Sequence, residues 1–220
     1  MYRPDVSELN AKPGWLWPLV RGGFIVLLIS IAGLALAVTL GVADPRPVGQ
    51  LQWEDDFSGP ESRWAVGMGG PVVEQPAALR MDRPGLTLLV HNPDAAEYTF
   101  SVAGYQPAGP PGAGYGLAFD VRSAEDYTVV LVNNNGFVSA WRQSGAVRED
   151  LYPWQAWPHI LRGEQANAIQ VSVRAGQAEI RINDEFFLTL PATGGGVALA
   201  GWIDTSGQAV QFGWAKFWSR

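Results

Sequence analysis

Two hydrophobic periods divide the chain. Residues 22–43, GGFIVLLISIAGLALAVTLGVA, carry no charge, and Ser30 and Thr39 are their only polar side chains. A helix of that length is roughly 33 Å long and matches a hydrocarbon core of roughly 30 Å. The stretch predicts a membrane-spanning helix. From residue 50 onward the period becomes two: Tyr115, Leu117, Phe119 and Val121 alternate with small or polar residues, as do Ile169, Val171 and Val173, then Ile180 and Ile182, then Val210, Phe212 and Trp214. Alternation of this kind marks strands with one face on a core. Turn signals separate them at Asn134-Asn135-Gly136, Ala175-Gly176, Asn183-Asp184, Gly194-Gly195-Gly196 and Ser206-Gly207. No segment after the apolar run has an amphipathic helical stripe. The pattern predicts an all-β, two-sheet antiparallel jelly-roll sandwich of roughly a dozen strands, preceded by one transmembrane helix.

The resulting organisation is a tail over residues 1–21, a helix over 22–43, a linker over 44–49 and a β domain over 50–220. Arg3, Lys12 and Arg21 precede the apolar run while Arg46 is the nearest cation after it, and an excess of Lys and Arg marks the cytoplasmic side. The N-terminus is therefore expected in the cytoplasm and the β domain outside it, with Trp15 and Trp17 at the headgroup level. The competing reading is a cleaved secretory signal, since Gly41 and Ala43 are small residues placed before Asp44 as a signal peptidase requires. An apolar run longer than the usual signal core of about 7–15 residues favours a retained anchor. Gly33, Ala37 and Gly41 recur every four residues and share one helix face, a small-xxx-small seam on which another helix can pack. Pro45 and Pro47 stiffen the linker, whose six residues reach at most roughly 20 Å. The domain is thus confined near the bilayer.

Composition narrows the function. A pI near 4.9 and a net charge of −6 oppose a nucleic-acid role, which needs a basic surface. The absence of cysteine removes disulfides, thiolate metal sites and iron–sulfur clusters. No cofactor is implied. Ten Trp and nine Phe supply the apolar area for a packed core.

Four blocks, WEDDFSGPESRW from Trp53, GYGLAFDVRSAEDYTVVLVNNNGFVSAWR from Gly114, NAIQVSVRAGQAEIRINDEFF from Asn167 and the closing VALAGWIDTSGQAVQFGWAKFW, resemble the concanavalin A-like lectin/glucanase jelly rolls. Within that group the resemblance is to laminin-G-like modules related to the 3-keto-disaccharide hydrolase domain. It implies a jelly roll and a carbohydrate-related role. Relatives often carry Asp after the Phe of the last strand, where this chain has Gly213 after Phe212. That departure weakens the implied calcium site near the chain ends, for which Asp55, Asp56 and Asp204 are the candidate oxygen ligands.

The resemblance to glucanases also implies two carboxylates at alternate positions of one strand. Here the acids form adjacent pairs, Glu54-Asp55, Glu125-Asp126, Glu149-Asp150 and Asp184-Glu185, and strand neighbours point to opposite faces. His91 and His159 stand far apart without a nucleophile beside them. The chain is accordingly expected not to be an enzyme. For binding, YPWQAWP over 152–158 offers Tyr152, Trp154 and Trp157 as aromatic anchors, and the Pro/Gly-rich stretch 106–114 reads as an exposed loop. Three functions follow in order: a non-enzymatic interaction module serving as an accessory subunit among integral membrane partners, a membrane-tethered glycan-binding domain, and a glycosidase-like enzyme. Protease added to intact spheroplasts should digest the β domain and spare the tail before Arg21. Full protection would reverse the orientation, and a mature N-terminus at Asp44 would show the anchor to be a cleaved signal.

Overall fold

The computed structural model describes residues 14, 16–39, 47, 49–59, 63–69, 73–75, 78–93, 95–107 and 109–220. The chain forms two compact units, Met1–Pro45 and Arg46–Arg220. The first contains α1 (Leu16–Thr39), of which Trp17–Ala37 is long and apolar enough to cross a membrane, whether as an anchor or as a signal sequence. The helix starts before the uncharged run, so the residues from Leu16 to Arg21, expected in an irregular tail, are helical. Pro18 is tolerated because it stands in the first turn, where backbone N–H groups have no intrahelical partner to lose. Ser30 donates its hydroxyl proton to the Val26 carbonyl at 2.9 Å, which satisfies the polar group within the helix itself. Residues 40–46 and 48, including Gly41 and most of the expected linker, lie outside the described residues.

The second unit is built of strands: β1 (Gln50–Asp55), β2 (Ala65–Met68), β3 (Val73–Gln75), β4 (Ala78–Met81), β5 (Gly85–His91), β6 (Tyr98–Tyr105), β7 (Gly114–Ser123), β8 (Asp126–Asn133), β9 (Phe137–Ser144), β10 (Val147–Ala156), β11 (Asn167–Arg174), β12 (Gln177–Ile182), β13 (Glu185–Pro191), β14 (Gly196–Ile203) and β15 (Val210–Ser219). They form two antiparallel sheets. One, of eight strands, runs β13-β12-β11-β6-β15-β4-β3 with β1 also paired to β15; the other, of seven, runs β10-β9-β8-β7-β14-β5-β2. In both sheets strands remote in sequence lie side by side, β6 between β11 and β15 and β14 between β7 and β5. These crossings give the expected two-sheet jelly-roll sandwich.

The alternating residues meet between the sheets. Tyr115, Leu117 and Phe119 of β7 face Phe100, Ile169, Val171, Ile180, Ile182, Phe212 and Phe217 of the eight-stranded sheet, all buried in one cluster. Two expected faces are reversed, each at a register shift. In β7 the pairing slips between Phe119 and Ser123, with Asp120 at φ 53°, and Val121 joins the cluster on the outer face instead of the core. In β15 it slips between Phe212 and Trp214; Ala215 and Phe217 then point inward, and Trp214 takes the outward side beside Lys216. An extra residue in one strand reverses the facing of everything after it. The hairpin turns follow their signals: Asn183 and Asp184 both take positive φ, 52° and 66°, as a tight turn between β12 and β13 needs.

Truncation of Phe119 to Ala should lower the unfolding free energy by about 3–5 kcal/mol, and Val171→Ala by less. Gly116→Ala should also destabilise although it adds only a methyl, because that Cβ would stand 2.1 Å from the Val130 carbonyl oxygen. Denaturant unfolding followed by tryptophan fluorescence measures all three, and near-neutral values would mean that the faces of β7 and β11 are inverted.

Candidate functional site

The seven-stranded sheet is apolar on its outer face as well. Leu88, Ala118, Val129, Leu131, Trp141, Ala198 and Ala200 form a second buried cluster there, with Met68, Leu86, Val90 and Trp202 packed over it. Small residues on the central strands β7 and β14 make room for large ones from the flanks. At Gly114 an added Cβ would lie 3.0 Å from Leu131, 3.3 Å from Trp202 and 3.4 Å from the Trp154 ring. A side chain there would press on both tryptophans.

Where they converge is a cleft of about 310 Å³, lined by Gly112, Asn133, Trp141, Arg148, Trp154, Trp202 and Asp204. Trp141 is its floor, meeting Trp202 edge to face at 6.1 Å between ring centroids. Its indole N–H donates to the Tyr127 hydroxyl, whose own ionisation is pushed up chiefly by burial. The Arg148 guanidinium lies over Trp141, 4.1 Å from the ring centroid, and its Nε donates to Asp150 Oδ1 at 2.8 Å. Trp141 is thereby covered, 2% exposed, while Trp154 stays 39% exposed and offers an open face. Asn133 Oδ1 accepts from the Asn135 and Phe137 amides, each at 3.1 Å. Its NH2 group has no partner among the described residues, and neither has the Asp204 carboxylate.

Two loops wall the cleft, and glutamines fix both. Gln208 Oε1 accepts from the Asp204 and Thr205 amides at 2.9 and 3.0 Å, and its Nε2 donates to the Pro111 carbonyl at 2.8 Å. Gln106 is fully buried, takes the Ala113 amide at 3.2 Å and donates to the Pro110 carbonyl. Gly112 N–H donates to Asn134 Oδ1 at 3.2 Å. The Pro/Gly-rich stretch expected as an exposed loop is therefore tied down, and part of it is a wall of the site.

Of the three aromatic anchors expected from the sequence, only Trp154 reaches the cleft. Tyr152 packs edge to face on Phe187 at 4.8 Å and Trp157 on the same ring at 5.2 Å, both against the inter-sheet core. A regular strand would put Tyr152 and Trp154 on one face, but the β10 register shifts between Tyr152 and Gln155, around Pro153, a residue with no N–H for the ladder. Trp141, Trp202, Arg148 and Asn133 were not expected. The available signal was phase: Trp141 is out of step with inward Val138 and Ala140, and Trp202 with inward Val197, Leu199 and Ile203.

The remaining candidates stand elsewhere. Asp55 accepts from the Phe57 amide at 2.9 Å and from the Trp64 indole at 2.9 Å, and Asp56 from the Ser58 amide and hydroxyl. Both acids serve their own turns while Asp204 lines the cleft, and no group of three or more His, Cys, Asp or Glu among the described residues is placed to hold a metal. Among the adjacent acid pairs, Glu54 bonds Lys216, Asp126 bonds Arg122 and Glu149 approaches Arg142 at 3.9 Å. His91 sits among Trp53, Trp64 and Phe217, its pKa lowered by burial, and His159 lies against Trp157. On the helix, the Gly33 position has nothing within 4 Å of where its Cβ would be, and Ala37 is partly exposed.

No family model and no curated protein matches the chain. Solved structures do. One is the carbohydrate-binding module CBM66 from Bacillus subtilis, at 12% identity and TM-score 0.54, over 69% of this chain and 93% of that one. A second is the CBM2 module of the evolved Dit of Lactobacillus casei BL23 phage J-1, at 10% identity and TM-score 0.57, over 79% and 97%. A third is xylan beta-1,4-xylosidase from Bacillus halodurans C-125, at 14% identity and TM-score 0.60, over 80% of this chain but only 40% of the enzyme. At these identities the likeness is one of fold: the β unit is a sandwich of the kind found in carbohydrate-binding modules and in part of a glycoside hydrolase.

Proposed function

We propose that this protein is a membrane-anchored, extracytoplasmic glycan-binding domain of the concanavalin A-like type, and that it holds a sugar in the Trp154–Trp202 cleft without cleaving it. The cleft itself carries the reading: a partly exposed indole, a second indole in the same lining, and polar groups of both senses at the rim, Arg148 and Asn133 to donate and Asp204 to accept. A sugar ring presents an apolar C–H face and a polar edge, and this arrangement meets both. Likeness to two modules described as carbohydrate-binding supports it.

Binding without hydrolysis is the economical reading because, among the described residues, Asp204 is the only carboxylate lining the cleft. Glycoside hydrolysis ordinarily uses two, about 5–9.5 Å apart across the scissile bond. The cleft thus moves glycan binding ahead of the subunit role that linker length alone favours. The small residues Gly33 and Ala37, four apart on an apolar helix, favour the second reading, an accessory subunit packed on another span. The two roles are compatible, and both keep the membrane as the first partner.

A glycan array probed with the full chain in nanodiscs should give hits. Trp154→Ala and Trp202→Ala should each weaken them at least about tenfold, whereas Trp157→Ala should lower stability and leave affinity of the folded protein unchanged. No hit on the array, or loss with Trp157→Ala alone, would overturn the reading. After mild solubilisation, a native gel should show the chain in a larger assembly that Gly33→Leu weakens; migration as a lone chain would remove the subunit role.

A further inference from the structure

The rim of the cleft carries information about which sugars it takes. Arg148 is held at two points, by stacking on Trp141 and by the Nε–Asp150 bond, and its two terminal nitrogens have no partner among the described residues. They form a fixed donor fork, since a guanidinium pinned in its plane cannot turn away. The Asp204 carboxylate is exposed and belongs to the turn whose backbone Gln208 ties to the opposite loop, so the acceptor is kept at the rim although nothing bonds the carboxylate itself among the described residues. Charge then separates the possible ligands. Asp150 neutralises Arg148, which leaves Asp204 as the uncompensated charge of the site in a protein of net charge −6. A uronate, sulfate or phosphate would bring a second anion towards it.

We infer that the cleft selects neutral sugars bearing adjacent hydroxyl groups, one hydroxyl accepting from the Arg148 fork and its neighbour donating to Asp204, with the ring laid on Trp154. A hydroxyl both donates and accepts, so a vicinal pair satisfies the held Arg148 donor and the rim acceptor together. A sugar that lacks either hydroxyl leaves a charged group desolvated and unpaired, which is the strongest form of rejection a binding site has. This inference rests on the cleft being a sugar site, and it fails separately from that reading.

The test titrates the full chain in zwitterionic nanodiscs with neutral xylo-, cello- and fructo-oligosaccharides, and in parallel with oligogalacturonides and sulfated oligosaccharides, at low and high salt. The neutral series should bind with an affinity that salt barely changes. Asp204→Asn and Arg148→Lys should each weaken that binding about tenfold, with unchanged far-UV circular dichroism. Deoxygenation at either of the adjacent hydroxyl positions should abolish it. Preferential, salt-sensitive binding of the acidic series would overturn the selectivity and leave glycan binding in place. Neutral sugars binding unaltered to both variants would overturn the role of the Arg148–Asp204 pair. Binding of neither series would overturn the inference and the reading beneath it.

Discussion

The central strands of the seven-stranded sheet are buried on both faces, and the site exists because of that. On the inner side of β7 stand Tyr115, Leu117 and Phe119; on the outer side stand Gly114, Gly116 and Ala118, opposite Ala198 and Ala200 of β14. An antiparallel sheet commonly leaves one face to water. Here small residues at the centre form a trough beside which Trp141 of β9 and Trp154 of β10 lie from one flank and Trp202 from the end of β14 itself. Larger outward residues on β7 would fill the trough, and polar ones would hold water where the indoles now pack.

The walls of the cleft depend on a different kind of interaction. Neither the 106–113 stretch nor the turn after β14 has a ladder of its own beside the site, so side-chain amides supply the missing bonds. Gln208 alone satisfies two backbone donors and one acceptor across 97 residues of sequence. Buried amides of this kind are stabilising only when their partners are complete. The rigidity of Gly112 and Asp204 is therefore one property shared by both loops.

Much of this was legible in the residues and some was not, for physical reasons. The apolar run and the alternation at Ile169 to Val173 or Ile180 and Ile182 are local patterns, and they carried the helix and the sandwich. Facing failed wherever a single inserted residue changed the register: Val121 after Asp120 against β14, Trp214 after Gly213, and Trp154 relative to Tyr152 across Pro153. Gly116 and Ala118 looked like solvent-facing spacers because small residues do not reveal what lies over them. The glutamine ties are contacts between remote segments that no local signal announces. Trp154 was recognised from the Pro-flanked YPWQAWP stretch, whereas Trp141 and Trp202 needed their strands to be phased first.

The missing side chain at Gly114 also bears on how such a domain could diverge. Its surroundings, at 3.0 to 3.4 Å, are tight but are made of side chains at the surface of the trough, not of the ladder itself. A methyl group there would press on Leu131, on the Trp202 Cβ and on the edge of the Trp154 ring while β7 kept its partners on both sides. The shape of the cleft and the integrity of the scaffold are therefore separable at one position, because what crowds Gly114 is side chains and what holds β7 is its backbone pairing.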